Sequence, residues 1–145
     1  MLVQSVGYAA SALGYLAGSG QSQMLVREMA GAVNVPSAYL AKIIQQLARR
    51  GLVTTQRGIG GGVALARSPR RITLYDLCEA LDDPIVQERC MLGVADCSDE
   101  RGCPAHAFWK LERQRQLEFL SRTTLEDMAD FQFARQPLGA AHLGS

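Results

Sequence analysis

Between Met29 and Tyr75 there is not one Asp or Glu, yet seven basic residues stand there: Lys42, Arg49, Arg50, Arg57, Arg67, Arg70 and Arg71. The rest of the chain carries 8 basic and 14 acidic residues, so one basic region sits inside an otherwise acidic protein of net charge +1. Such a separation of charge points to a face for a polyanion. Other absences remove whole classes of function. No Gly-Lys-Ser/Thr follows the glycine-rich stretch, which excludes a P-loop. There is no Ser-His-Asp arrangement, and we expect no enzyme. No run approaches the roughly 18 consecutive apolar residues of a membrane span. The opening MLVQSVGYAASALGYLAG lacks the positive start of a signal peptide, since the first charge is Arg27. The expectation is a soluble, cytoplasmic protein with no membrane partner.

At 145 residues with 48% apolar content, the chain fits one domain that can bury a real core. Val6, Ala10, Leu13 and Ala17 recur at helical spacing and predict a first helix over 3–17. After a loop at 18–23, a short helix is expected over 24–33, ending at Asn34, a residue type that tolerates the left-handed conformation of a sharp turn. The stretch PSAYLAKIIQQLARRG follows. Pro36 suits the start of a helix, Leu40, Ile43, Ile44 and Leu47 form its buried stripe, and Gly51 closes it. Two strands, 52–56 and 63–67, flank the glycine-rich link RGIGGG. Thr73, with Asp76 three residues on, caps a helix whose inward stripe is Leu74, Leu77, Cys78 and Leu81. A long helix at 105–122 and a further one capped by Thr123 or Thr124 complete the pattern, and the tail after Phe133 has none.

Helix, sharp turn, helix with a polar outer face, then a glycine-tipped ribbon is the order of a winged helix-turn-helix. The fold class expected is therefore mainly α, with a two-stranded wing and a long C-terminal helix. A B-DNA major groove admits one α-helix whose outward side chains meet base edges. Helix 36–50 is the candidate, offering Ser37, Tyr39, Lys42, Gln45 and Gln46 for bases or phosphates, with Arg49 at the groove's rim. At the ribbon tip, Arg57 stands beside glycines that include Gly60 and Gly61, where the missing Cβ atoms allow close approach to a phosphate backbone or a minor groove. Double-stranded promoter DNA is the expected partner.

Three of the four cysteines fall within CMLGVADCSDERGCPAH, spaced Cys90-x6-Cys97-x5-Cys103-x2-His106. A reducing compartment disfavours structural disulfides, so the cluster points to metal or redox chemistry. Zinc ligands usually come in close pairs such as Cys-x2-Cys, and no such pair exists here. Widely spaced thiolates on one loop can wrap a larger object. Thiolate is the standard ligand of iron–sulfur clusters, and imidazole replaces it on some irons. Zinc or a thiol switch stays open on the residues alone.

RGIGGGVALAR followed by ITLYDLCEAL resembles the wing and following helix of the Rrf2 family of bacterial regulators, which includes an iron–sulfur cluster regulator and a nitric-oxide-sensitive repressor. VGYAASALGYLA resembles the family's first helix, and PSAYLAKIIQQLARRGLV its recognition helix. Val63 replaces a usual aromatic, and Ala41 stands where the iron–sulfur regulator has Glu. The first cysteine gap is one residue longer than that regulator's. The resemblance implies that Cys90, Cys97, Cys103 and His106 hold a 2Fe–2S cluster. In the nitric-oxide-sensitive branch an Asp of the partner's first helix completes a 4Fe–4S cluster, and Gly7, which cannot ligate, occupies that position here. A 4Fe–4S group completed by another donor remains the alternative. The resemblance also implies a homodimer joined through helix 105–122. The chain then divides into a DNA-binding region (1–82), a cysteine-rich cluster loop (83–104), dimerisation helices (105–133) and a flexible tail (134–145). The expected function is a transcriptional regulator that senses redox state, nitric oxide or cluster supply. Its alternatives are a regulator with zinc or a thiol switch, and a cluster-free regulator governed by a partner protein.

Overall fold

A computed structural model describes residues 1–89, 91, 92, 100 and 103–143, and of 135–143 the backbone alone. Cys90 and Cys97 lie outside the described residues. Among the described residues, six α-helices and one two-stranded antiparallel sheet follow in order: α1 (Gln4–Gly18), α2 (Val26–Val33), α3 (Ser37–Arg49), β1 (Val53–Gln56), β2 (Gly62–Leu65), α4 (Leu74–Ala80), α5 (His106–Arg122) and α6 (Leu125–Leu143). Single 3-10 turns at Pro69–Arg71 and Pro84–Val86 flank α4.

The core forms where the apolar stripes meet. Val6, Leu13 and Leu16 of α1, Leu40, Ile44 and Leu47 of α3, Leu77 and Cys78 of α4 and Leu125 of α6 are all shut off from water. Asn34 takes the left-handed conformation (φ 57°, ψ 52°) and returns its N–H to Ala30 O, which turns α2 sharply into α3. The Thr73–Asp76 capping box forms as expected, each side chain accepting the other's backbone N–H at 2.9–3.1 Å. Thr124, paired in the same way with Asp127, starts α6.

The structure departs from the sequence reading in three places. The helix expected over 24–33 begins only at Val26, because Met24 is used elsewhere. Its N–H donates to Val63 O at 2.9 Å and its carbonyl accepts from Val63 N at 2.8 Å, adding a bridge to the wing. Gly62 makes room for it, since a Cβ there would lie 2.8 Å from Met24 O. The second strand runs Gly62–Leu65 rather than 63–67, with Ala66 N still donating to Leu52 O in the register of the pair at 3.0 Å. The segment after Phe133, expected to be a patternless tail, continues the helical backbone of α6 to Leu143. Once a helix is nucleated, each added residue gains a bond without needing an amphipathic pattern. Much of α6 lies along α1, and the approach depends on Gly14, where a Cβ would fall 2.8 Å from Met128 Cβ.

Candidate nucleic-acid interface and sensor segment

The buried stripe of α3 fixes which side chains face out. Ser37, Tyr39, Lys42, Gln45 and Arg49 are all exposed, and 39, 42, 45 and 49 follow the spacing of one helical face. Tyr39 is not loose. Its ring meets Tyr8 of α1 edge-on, with centroids 5.5 Å apart and an interplanar angle of 88°, and Gln4 donates to the Tyr8 hydroxyl at 2.8 Å. Gln46 differs from its neighbours. Half-buried, it donates through Nε2 to Ala80 O at 3.0 Å and to Asp82 Oδ2 at 3.2 Å. Its amide ties α3 to the end of α4.

The seven basic residues of the acid-free stretch also separate. Arg50 pairs with Asp82 (3.1 Å), Arg67 with Asp76 (3.4 Å), and Arg70 reaches both carboxylate oxygens of Glu126 at 2.9 and 3.1 Å. Exposed pairs of this kind add at most about 1 kcal/mol each. Among the described residues, no carboxylate pairs with Lys42, Arg49, Arg57 or Arg71, so these four keep their charge for an outside partner.

Hydrogen bonds rigidify the wing tip. Gly61 N donates to Gly58 O at 3.0 Å, and the Gln23 side-chain amide donates to Gly60 O. Gly61 is needed inside the protein, since a Cβ there would sit 2.2 Å from Gln56 O. Between the two left-handed glycines Gly58 and Gly60, Ile59 projects entirely into solvent, and Arg57 is exposed beside it.

On the sensor side, Cys103 and His106 are both half-buried at the start of α5, and His106 N donates to Cys103 O at 3.0 Å. One turn later, Trp109 Nε1 donates to Arg89 O at 2.9 Å. The chain therefore enters the cysteine segment and leaves it against the same two turns of α5. A thiol and an imidazole thus stand where the cysteine-rich segment rejoins α5, and with the two further cysteines of the sequence the donor set suits an iron–sulfur cluster. Among the described residues no three His, Cys, Asp or Glu side chains converge as a complete metal site. Cys78 takes no part. It is fully buried in the core, and burial, with a smaller push from the Asp83 charge, raises its thiol pKa to about 12. It remains a protonated, apolar filler.

Sequence reasoning missed Gln23, Ile59 and the Asp82–Asp83 pair. The last carried a signal: Asp before Pro84 marks a turn in which the carboxylate accepts a nearby N–H, and Asp83 Oδ1 does accept from Ile85 N at 2.9 Å.

Comparison with known proteins agrees with this geometry. Residues 2–130 match the Rrf2 family model, described as an iron-dependent transcriptional regulator. An HTH-type transcriptional regulator of Aquifex aeolicus (strain VF5) is 32% identical over 130 residues, covering 88% of this chain and 90% of that protein. The HTH-type transcriptional regulator IscR of Escherichia coli O139:H28 is 30% identical over 105 residues, covering 72% of this chain and 64% of the relative. Among solved structures, CymR, the global cysteine regulator of B. subtilis, aligns with a TM-score of 0.72 and 27% identity, over 90% of this chain and 97% of that one. T. potens IscR aligns at 0.73 over 94% and 90%, and at 23% identity this is a likeness of fold.

Proposed function

This chain belongs to the Rrf2 family of DNA-binding transcriptional regulators, and from that premise we propose that it senses its signal through an iron–sulfur cluster held by Cys90, Cys97, Cys103 and His106. The observation that carries the proposal is the closure of the cysteine segment: Arg89 and Cys103, its two ends, both lie against the first turns of α5. When bound, a cluster supplies redox and ligand-exchange chemistry that thiols and imidazole alone do not. The chain's own part is to gather the donors at one helix end and to keep Cys78 out of the set.

On DNA, α3 enters the major groove. Ser37, Tyr39, Lys42 and Gln45 meet bases and phosphates, with Arg49 at the rim. Gln46 serves as a tie within the protein. Arg57 and the tip Ile59–Gly61 reach the neighbouring backbone or minor groove. Two chains joined through α5 present two such helices to half-sites about 34–36 Å apart.

A second reading draws on CymR, whose description as a cysteine regulator comes with 27% identity over most of this chain: a cluster-free member controlled by a thiol signal or a partner protein. Anaerobic purification followed by an absorption spectrum and counts of iron, sulfide and zinc separates the readings. We expect visible absorbance with iron and sulfide, lost in Cys97→Ala. Reproducibly iron-free, colourless wild type would hand the case to the second reading, and zinc without sulfide to a zinc site.

A further inference from the structure

The turn from Ala80 to Asp83 touches more of the protein than its length suggests. As α4 ends, Asp82 takes a left-handed backbone (φ 57°). That conformation is uncommon outside glycine, and Asp tolerates it better than most residues. Both oxygens of its carboxylate face the last turns of α3: Oδ2 accepts from Gln46 Nε2 at 3.2 Å and Oδ1 from Arg50 Nη2 at 3.1 Å. Gln46 also donates to Ala80 O. The next residue, Asp83, is 2% exposed and holds a different set of elements. Its Oδ2 accepts from Val3 N at 2.7 Å at the entrance to α1, while its own N–H donates to Cys78 O at 2.9 Å. From there the chain passes through the Pro84–Val86 turn to Arg89, whose carbonyl is fastened to Trp109 of α5. A short segment pinned at both ends thus runs from the DNA-facing helix to the residue before Cys90.

We propose that Asp82 is a positioning residue for DNA recognition, the joint through which the segment leading to the cysteines sets the pose of α3. The proposal rests on the reading of α3 as the groove helix. Three features single out this residue. Glycine would meet the backbone demand of the turn without a carboxylate, so the carboxylate has its own use. Its contacts are partly exposed, and exposed pairs add little to stability, so their effect is on geometry. Finally, Gln46 lies in the last turn of α3 and Arg50 caps its end, where a small rotation changes the reach of Lys42, Gln45 and Arg49 together.

The test uses the full-length protein and a duplex that the wild type selects from a random pool, compared with a scrambled duplex of equal length. Asp82→Gly keeps the backbone conformation and removes both oxygens. We expect the ratio of selected to scrambled affinity to fall about tenfold, with scrambled binding, salt slope and Tm close to wild type. Asp82→Asn, which keeps an acceptor oxygen, should restore part of the ratio. Two readouts need no DNA. Amide hydrogen exchange in the last turn of α3 should accelerate in Asp82→Gly, and the emission of Trp109, the protein's single tryptophan, should shift. An unchanged ratio with unchanged exchange overturns the proposal. So does an equal loss on both duplexes with a lowered Tm, the mark of a structural role alone. A wild type that selects no duplex sinks the reading of α3 instead. The exchange and emission measurements then decide the joint by themselves, and no change in either refutes it.

Discussion

Arg57 stands at the wing without a carboxylate partner among the described residues, and the next residue but one, Ile59, is apolar and fully exposed. If the wing meets DNA as proposed, the two would make separable contributions to binding. A cation on a phosphate releases counterions, so Arg57→Ala should weaken DNA binding and flatten the plot of log affinity against log salt by roughly 0.9 for each phosphate it no longer neutralises. An apolar contact with sugar edges or a base step releases none. Ile59→Ser should therefore cost up to about tenfold in affinity with the slope unchanged. Titrations at several salt concentrations check both, and a slope that Arg57→Ala leaves alone removes the wing–phosphate contact. Cys78 makes its prediction through pH. Its thiol titrates near 9.0 when unfolded and near 12 in the fold. Below pH 9 both states keep the proton and stability does not depend on it. Between 9 and 12 the unfolded chain releases a proton that the folded chain retains, so stability falls as pH rises through that window. Urea unfolding of wild type and Cys78→Ala, compared from pH 8 to 11, should show the wild type losing the larger share of its stability.

Among the elements, those with a local cause are legible in the amino-acid order alone. The α3 stripe of Leu40, Ile43, Ile44 and Leu47 is buried as its spacing requires, Asn34 makes the turn, and Thr73 with Asp76 makes the cap. What escaped depends on distant partners. Nothing near Met24 announces that its backbone will bond to Val63, and Val63, smaller than the aromatic usual in the family's wing, is 2% exposed beneath that bridge. Gln46 carries the same long polar side chain as Gln45, and its partners, Ala80 O and Asp82, come from α4 and the turn after it, far off in the sequence. Likewise, nothing in the spacing of the cysteines announces that Trp109 will donate to Arg89 O. The contact of α1 with α6 is of this distant kind as well. Gly14 reads as a weak point in a helix, since glycine costs about 1 kcal/mol there relative to alanine. Its role is to admit Met128. Gly14→Ala should therefore destabilise the protein despite the gain in helix propensity. Overpacking of about 1–3 kcal/mol outweighs that gain, and Gly14→Val should be worse. Chemical denaturation gives the sign directly: a more stable Gly14→Ala means that α6 sits further from α1.

At the scale of the whole molecule, the question is what covers α5. Phe108, Leu111 and Phe119 lie on it at i, i+3 and i+11, between 59% and 63% exposed. Beside them runs a groove of about 770 Å³ lined by Leu2, Ile85, Met91, Trp109 and Phe119. A lone chain rarely leaves three large apolar side chains on one helix face, here interrupted by Arg115, beside an apolar groove in water. A second copy related by a two-fold axis would bury it against itself. The same pairing would set two copies of α3 on one side of a duplex. Replacing Leu111 with Glu places a charge in the middle of the row and should yield a folded monomer of 15.7 kDa by sedimentation, against twice that mass expected for the proposed wild-type dimer. Because each chain then meets DNA alone, the variant should bind a two-half-site duplex no better than a single half-site, with a salt slope about half that of the wild type. A Leu111→Glu protein that still sediments as a dimer places the seam elsewhere. One that becomes monomeric yet keeps full affinity and slope shows that the two DNA-binding heads act independently.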